Sequence, residues 1–152
     1  SSEIKALRQE VKLCDGIEAR SALMEQNLEK MIPFIKDFSR RTGSVIAVTG
    51  GIDLVSDAKR CFVIRNGRPE MGRITGTGCQ LSGMMTAFLA ANPENNLEVA
   101  AAAVCAMGLA GETGWKYMQP GDGNATYRNR IIDAIYNMEG KELEEGAKYE
   151  IR

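Results

Sequence analysis

Apolar and polar residues follow each other along this chain with periods that predict a mixed α/β fold. Residues 17–41 carry an apolar stripe at helical spacing with charged side chains outside it, which predicts one long helix ended by Gly43. Residues 44–49 and 61–64 are short runs rich in β-branched side chains, and we predict strands there, the first of them buried in a parallel sheet. An Asn-Gly turn then predicts a return strand over residues 70–74.

The second half of the chain predicts three more helices and a short closing strand. The helices are expected over residues 80–91, 97–112 and 127–138, because apolar and small residues recur there at helical spacing. Residues 149–151 are expected to add the last strand. Neither an internal repeat nor a low-complexity linker interrupts this order, so residues 1–152 are predicted to form a single α/β unit.

Composition narrows the possible chemistry. The chain has 152 residues, of which 44% are hydrophobic and 26% charged, with 19 basic and 20 acidic residues and a net charge of -1. Such a balance weighs against nucleic acid as a partner. Histidine is absent from the sequence, which excludes Ser-His-Asp and Cys-His mechanisms unless another chain lends the imidazole. Acid–base work must then fall to Asp, Glu, Cys, Lys or Tyr.

The cysteines and the apolar runs bear on the compartment. Cys14, Cys61, Cys79 and Cys105 form no C-x-x-C pair, and we interpret them as reduced thiols of a cytoplasmic protein. The first ten residues are polar and charged, unlike a signal peptide. The apolar run 99–110 is too short to span a bilayer, so we expect no membrane partner.

A glycine-rich turn, Gly76-Thr77-Gly78-Cys79, joins a predicted strand end to a predicted helix. Glycines let the backbone approach a ligand, and the free amides of the first helical turn bind anions such as phosphate. The turn lacks the Gly-Lys-Ser/Thr of a P-loop, and Leu81 stands where the dinucleotide fingerprint has its third glycine. A tight structural turn without a ligand is the alternative interpretation.

Cys79 strengthens the case for chemistry at this turn. A thiol in the first turn of a helix meets the positive end of the helix dipole, which favours the thiolate. The alternative is a small buried hydrophobic residue, and we assign that role to Cys14, Cys61 and Cys105.

A second glycine turn follows the first predicted strand. Thr49-Gly50-Gly51 leads to Asp53, and ligands gather at the carboxyl ends of strands in open α/β sheets. Two strand ends that are each followed by glycine would line one crevice. Asp53 is typical of a carboxylate that caps its own turn, with a ligand-side role as the alternative.

Several segments together resemble the hydroxyethylthiazole kinase family of thiamin salvage, within the ribokinase-like superfamily. They are SSEIKAL, VIAVTGGIDLVSD, ITGTGCQLSGMMTAFLA and DGNATYRNRIIDAIYNM, and the resemblance covers most of the chain. It implies a three-layer α/β/α fold with a mainly parallel sheet, of which this chain would be the C-terminal portion. In the wider superfamily an Asp occupies the position of Cys79.

The resemblance implies that the γ-phosphoryl group of ATP is transferred to the hydroxyl of 4-methyl-5-(2-hydroxyethyl)thiazole, with Mg²⁺ as cofactor. The residues that match the catalytic anion hole are Gly76, Thr77, Gly78 and Cys79. Gly76 also matches a contact to the thiazole substrate, and Cys79 matches the position that faces the reacting hydroxyl. Thr49 matches a nucleotide contact. Glu3 matches the Glu of the N-x-x-E element that belongs to the magnesium–phosphate network.

The resemblance also implies partners. The family forms homotrimers. The Asn of N-x-x-E would fall just before Ser1, so the N-terminal half of the kinase is expected as a separate chain, a disordered region or a part outside this sequence. Two other classes stay open. One is a thiol-dependent acyl or redox enzyme, which the absence of His and of a second nearby Cys argues against. The other is a phosphate- or nucleotide-binding fragment without catalysis. Within the kinase class, a ribokinase-like kinase for another small alcohol is a further alternative.

Overall fold

The computed structural model describes the backbone of residues 17–152 and the side chains of residues 27–152. The described elements are, in order, α1 (Ile17–Thr42), β1 (Ile46–Val48), β2 (Asp53–Ser56), β3 (Cys61–Ile64), a 3₁₀ helix (Pro69–Arg73), α2 (Thr77–Ala91), α3 (Asn96–Lys116), α4 (Asn124–Asn137), α5 (Gly140–Gly146) and β4 (Tyr149–Ile151). Helices and strands therefore mix along one chain, as the sequence predicts.

Helices cover both faces of a four-stranded sheet. Side chains alternate along each strand, so neighbouring residues belong to different layers. Leu54 and Val63 pack with the buried side of α1, whereas Val55 and Phe62 pack with α3 on the opposite face. Both pairs lie directly opposite each other in the register of β2 and β3. The predicted arrangement of a sheet between helical layers is thus present in the described residues.

The sheet is antiparallel, and the prediction of a mainly parallel sheet is not confirmed. Its order is β1-β2-β3-β4, and each of the three neighbouring pairs is antiparallel. Only four residues separate β1 from β2, and four separate β2 from β3. A parallel crossover needs a dozen or more residues, so these connections permit hairpins alone.

Two strand predictions are wrong in detail. The run 44–49 was expected to be buried, but β1 lies at the sheet edge and the side chain of Val48 is 37% exposed. Residues 70–74 do not return as a strand, because β4 occupies the edge of β3 where that strand would pair. Pro69 instead begins the 3₁₀ helix, and its fixed φ suits a first helical position.

The predicted helices are confirmed, with ends shifted by a few residues. The stripe of α1 buries Leu28, Ile32 and Ile35 against the sheet. Gly43 ends this helix with φ +68 and donates its amide to Ser39 O at 2.8 Å. Helix α5 was not predicted, because its sequence is charged and carries no clear apolar stripe.

Helix α3 lies at the centre of the larger core. It contacts β2 and β3 of the sheet and the helices α2, α4 and α5. Its 21 residues exceed the predicted run, and by length and composition it could cross a membrane. However, 72% of its most apolar window is buried inside the protein, which is typical of the central helix of a globular domain.

Candidate active site

The turn before α2 presents a row of backbone amides at the helix start. Gly76 caps the helix with φ +99 and ψ -2, a left-handed conformation that favours glycine. No side chain hydrogen-bonds to this cap, and Gln80 N donates to Gly76 O at 3.0 Å. The amides of Thr77, Gly78 and Cys79 precede the first helical donor, so they are available to an anion.

Open space surrounds the two glycines of this turn. A Cβ atom built on Gly76 or on Gly78 would meet no described atom within 4 Å. Gly76 is therefore required by its positive φ and not by crowding. Gly78 keeps the helix start bare, which allows a ligand to approach the backbone.

The second glycine turn closes on itself through Asp53. Gly50 N donates to Asp53 Oδ1 at 2.8 Å, so the expected turn-capping role is confirmed. Burial raises the pKa of Asp53, and the hydrogen bond from Gly50 only partly offsets that effect. The carboxylate is thus held at the end of the β1–β2 connection in a partly desolvated place.

A cavity of about 520 Å³ brings the two glycine turns together. Thr49, Gly50 and Asp53 line one side of it, and Thr77 and Gly78 line another. The sequence predicts that these two turns line one crevice. The strands are antiparallel and not mainly parallel as expected, but both turns still open into one cleft.

The remaining lining of the cavity was not predicted. It includes the connection after β3, with Asn66, Gly67 and Arg68, and α3, with Met107 and Gly108. The sequence signal at this place was the Asn-Gly pair, which we interpreted as a hairpin turn. Its position against α3 is a tertiary contact that no local pattern reveals.

The charged side chains that line the cavity are Asp53 and Arg68. Arg68 donates to Glu70 at 3.1 and 3.2 Å, and its guanidinium lies 5.1 Å from the ring centre of Trp115. The cation–π contact and the ion pair therefore restrict the conformation of the Arg68 side chain.

The described thiols occupy two kinds of environment. Cys61 and Cys105 are buried, and burial raises the pKa of both, that of Cys105 to about 11. Cys79 is exposed in the first turn of α2. Neither Cys79 nor Gly76 is among the residues that line the cavity. Cys14 lies outside the described residues, so its expected structural role is untested.

The described residues do not by themselves form a magnesium site. Among them no group of three or more His, Cys, Asp or Glu side chains could hold a metal ion. Asp53 is the carboxylate that lines the cavity, and it already accepts a hydrogen bond from Gly50. Glu3, the predicted magnesium-network residue, lies outside the described residues.

The model of the hydroxyethylthiazole kinase family matches residues 1–141. The chain belongs to this family. A hydroxyethylthiazole kinase of Clostridium acetobutylicum is 43% identical over 151 residues, which are 98% of this chain and 55% of that protein. Hydroxyethylthiazole kinase 2 of Clostridium botulinum is 37% identical over 139 residues, 90% of this chain and 50% of that protein.

A solved structure supports the same assignment. The hydroxyethylthiazole kinase protein of Pyrococcus horikoshii matches with a TM-score of 0.72 and 28% identity. The match covers 87% of this chain and 51% of that one. This chain therefore spans about half the length of the family members it matches.

Proposed function

We propose that this chain carries the phosphate-binding part of a kinase that transfers the γ-phosphoryl group of ATP to the hydroxyl of 4-methyl-5-(2-hydroxyethyl)thiazole, in thiamin salvage. The observation that carries the proposal is the single cavity that Thr49, Thr77 and Gly78 line together. Phosphoryl transfer depends mostly on positioning and on stabilising negative charge, and an amide row at a helix start supplies both.

Each predicted residue has a place in this mechanism. Thr49 contacts the nucleotide, and the amides of Gly76, Thr77, Gly78 and Cys79 form the anion hole. Gly76 also contacts the thiazole. The substrate hydroxyl oxygen attacks the γ-phosphorus, the bond from that phosphorus to the bridging oxygen breaks, and ADP leaves. The proton of the attacking hydroxyl passes to the sulfur of Cys79.

The cofactor and the partners belong to the same proposal. A magnesium ion, when bound, neutralises charge on the ATP phosphates, and Glu3 is its proposed partner through bound water. The N-terminal half of the kinase domain, on this or another chain, supplies the rest of the thiazole pocket. We propose that the complete kinase is a homotrimer in the cytoplasm. Light scattering would measure the mass of this assembly. A monomeric mass for the complete kinase would contradict the trimer.

The decisive experiment measures ADP formation from ATP by the complete kinase, with and without the thiazole alcohol. We expect turnover that requires both the alcohol and Mg²⁺, together with a phosphorylated thiazole detected by mass spectrometry. A matched acceptor in which the hydroxyl is replaced by hydrogen serves as the control. ADP formation that is equal with this control acceptor would contradict the proposal, and turnover only with another alcohol would redirect it to a different acceptor.

A second function is compatible with the same cavity. A nucleotide- or phosphate-binding module without catalysis is the alternative, because the lining by Thr49, Thr77 and Gly78 would serve binding alone equally well. Titration calorimetry of the 152-residue chain with ATP and with pyrophosphate separates the two. Binding without any turnover, even after the missing half is supplied, would favour the binding module.

A further inference from the structure

The connection after β3 lies directly against α3, with no space for a side chain between them. A Cβ atom on Gly108 would stand 2.6 Å from Asn66 Cβ and 2.9 Å from Asn66 O. Asn66 is buried, with 7% of its surface exposed. The close contact with the backbone of α3 therefore fixes the position of this connection in the cavity wall.

A carboxylate one turn further along α3 fastens the same connection. Glu112 Oε1 accepts hydrogen bonds from Gly67 N at 2.9 Å and from Asn66 Nδ2 at 3.2 Å. Its other oxygen, Oε2, accepts from Lys148 Nζ at 2.6 Å. Burial alone would raise the pKa of Glu112, but the hydrogen bonds and the charge of Lys148 lower it, so the carboxylate stays ionised.

The network closes through the end of the described chain. Lys148 N donates to Asn66 Oδ1 at 2.7 Å, and Asn66 Nδ2 also donates to Gly146 O at 2.9 Å. One side chain, Asn66, thus joins three separate parts of the sequence. A network in which the amide and the carboxylate are both satisfied holds its members rigidly.

Asn66 and Gly67 line the cavity, whereas Glu112 does not. We infer that Glu112 is a positioning residue for the phosphoryl-transfer site, because it fixes the Asn66-Gly67 wall of the cavity that Thr49 and Gly78 also line. This inference rests on the proposed function of that site. Because Asn66 and Gly67 line the cavity and carry no reacting group, Glu112 acts on the affinity for ATP more than on the chemical step.

The test compares variants of the complete kinase at a temperature where circular dichroism shows each one folded. Glu112→Ala removes the acceptor of Gly67 N, and we expect the KM for ATP to rise about tenfold, as the loss of a charged hydrogen bond predicts, with a smaller change in kcat. Glu112→Gln keeps one carbonyl oxygen for Gly67 N and is expected to restore most of the affinity.

Glu98→Ala is the matched control. Glu98 lies on the same helix and pairs with Arg60 at 2.6 Å, the distance of the Lys148 pair, but neither Glu98 nor Arg60 lines the cavity. We expect its KM for ATP to equal that of the unmodified kinase. If the KM for ATP rises equally in Glu98→Ala, the inference is overturned. It is also overturned if Glu112→Ala is less thermally stable but keeps the KM of the unmodified kinase.

Two further measurements make each outcome decisive. If Glu112→Ala does not fold, Glu112→Asp replaces it. The Asp side chain is one methylene shorter, so its carboxylate cannot reach Gly67 and Lys148 together. An unchanged KM for ATP in this variant would overturn the inference. If the unmodified kinase has no thiazole-dependent turnover, the proposed function fails, and calorimetry with ATP decides the positioning role alone. Weaker binding by the Glu112 variant then supports it, and equal or absent binding in both proteins rejects it.

Discussion

Helices α2 and α3 have similar compositions and opposite surroundings. Both are rich in alanine and contain two or more glycines. Thirteen of the twenty-one residues of α3 are buried, whereas Leu81 is the buried residue among the fifteen of α2. The two helices contact each other, so the difference does not come from separation in space.

Their glycines explain the difference. In α3, a Cβ on Gly108, Gly111 or Gly114 would meet neighbouring atoms at 3.1 Å or closer. In α2, a Cβ on Gly78 or Gly83 would meet no described atom within 4 Å. Small residues in α3 make room for neighbours, and small residues in α2 leave the surface bare. Composition alone therefore does not distinguish a core helix from a helix that presents a site.

The largest expected effect separates the thiols of the two helices. Cys79→Ser should lower turnover of the complete kinase about 10²-fold or more, because a hydroxyl is a far weaker proton acceptor than a thiolate. Cys79→Asp should keep or raise activity, since its carboxylate is ionised at neutral pH. Thiazole phosphorylation measured under single-turnover conditions gives the chemical step.

The control is the buried thiol of α3. Cys105→Ser should leave the chemical step unchanged and lower the free energy of unfolding by about 1 kcal/mol. Full turnover by Cys79→Ser would show that positioning and the amide row suffice, and the role of Cys79 as proton acceptor would then be wrong.

The next effect tests the close contact of α3. Gly108→Ala should lower the free energy of unfolding by about 1–3 kcal/mol, because the new methyl group meets the Asn66 backbone, which cannot yield. Urea denaturation followed by circular dichroism measures the change. A variant as stable as the unmodified chain would mean that the connection after β3 moves freely away from α3.

A smaller effect of opposite sign is expected in α2. Gly83→Ala should stabilise the 152-residue chain by about 0.5–1 kcal/mol, because alanine favours the helix and the position is open. The same urea titration applies. If Gly83→Ala destabilises the complete kinase instead, the bare face of α2 is covered there by another segment or by a second copy.

The smallest effect concerns pH. The folded-state pKa of Glu112 lies below its ordinary value of 4.5, so its contribution to stability is present above that pH and is lost as the pH falls through the folded-state pKa. In acid, the free energy of unfolding of Glu112→Gln should change less with pH than that of the unmodified chain. We expect the difference to be less than about 1 kcal/mol, as for partly exposed ion pairs. Identical pH profiles for both proteins would contradict this linkage.

Local patterns predicted helices α1 to α4 and the two glycine turns, because capping residues, apolar stripes and glycine act over short distances. The stripe of α1 and its end at Gly43 are confirmed. Strand β2 was missed because Asp53 and Ser56 make its ends look like a turn. The predicted parallel pairing of the strands was wrong. Short connections between strands permit antiparallel hairpins alone, and the prediction followed the apolar strand pattern and the resemblance instead of these lengths.

The candidate site divides in the same way. Thr49, Thr77 and Gly78 were found from the glycine turns that hold them. The wall formed by Asn66 and Gly67 depends on Gly108 and Glu112, more than forty positions away, so no local pattern could place it.

The pairing of β4 with β3 has a consequence for synthesis on the ribosome. Arg65 and Glu150 pair across the ends of these strands although they are 85 positions apart in the chain. As the chain grows from its amino end, β3 leaves the ribosome long before β4 exists to cover its edge. An apolar strand with open backbone donors and acceptors invites pairing with another nascent chain. The interval between the synthesis of β3 and that of β4 is therefore the period in which this edge is most open to pairing with another chain.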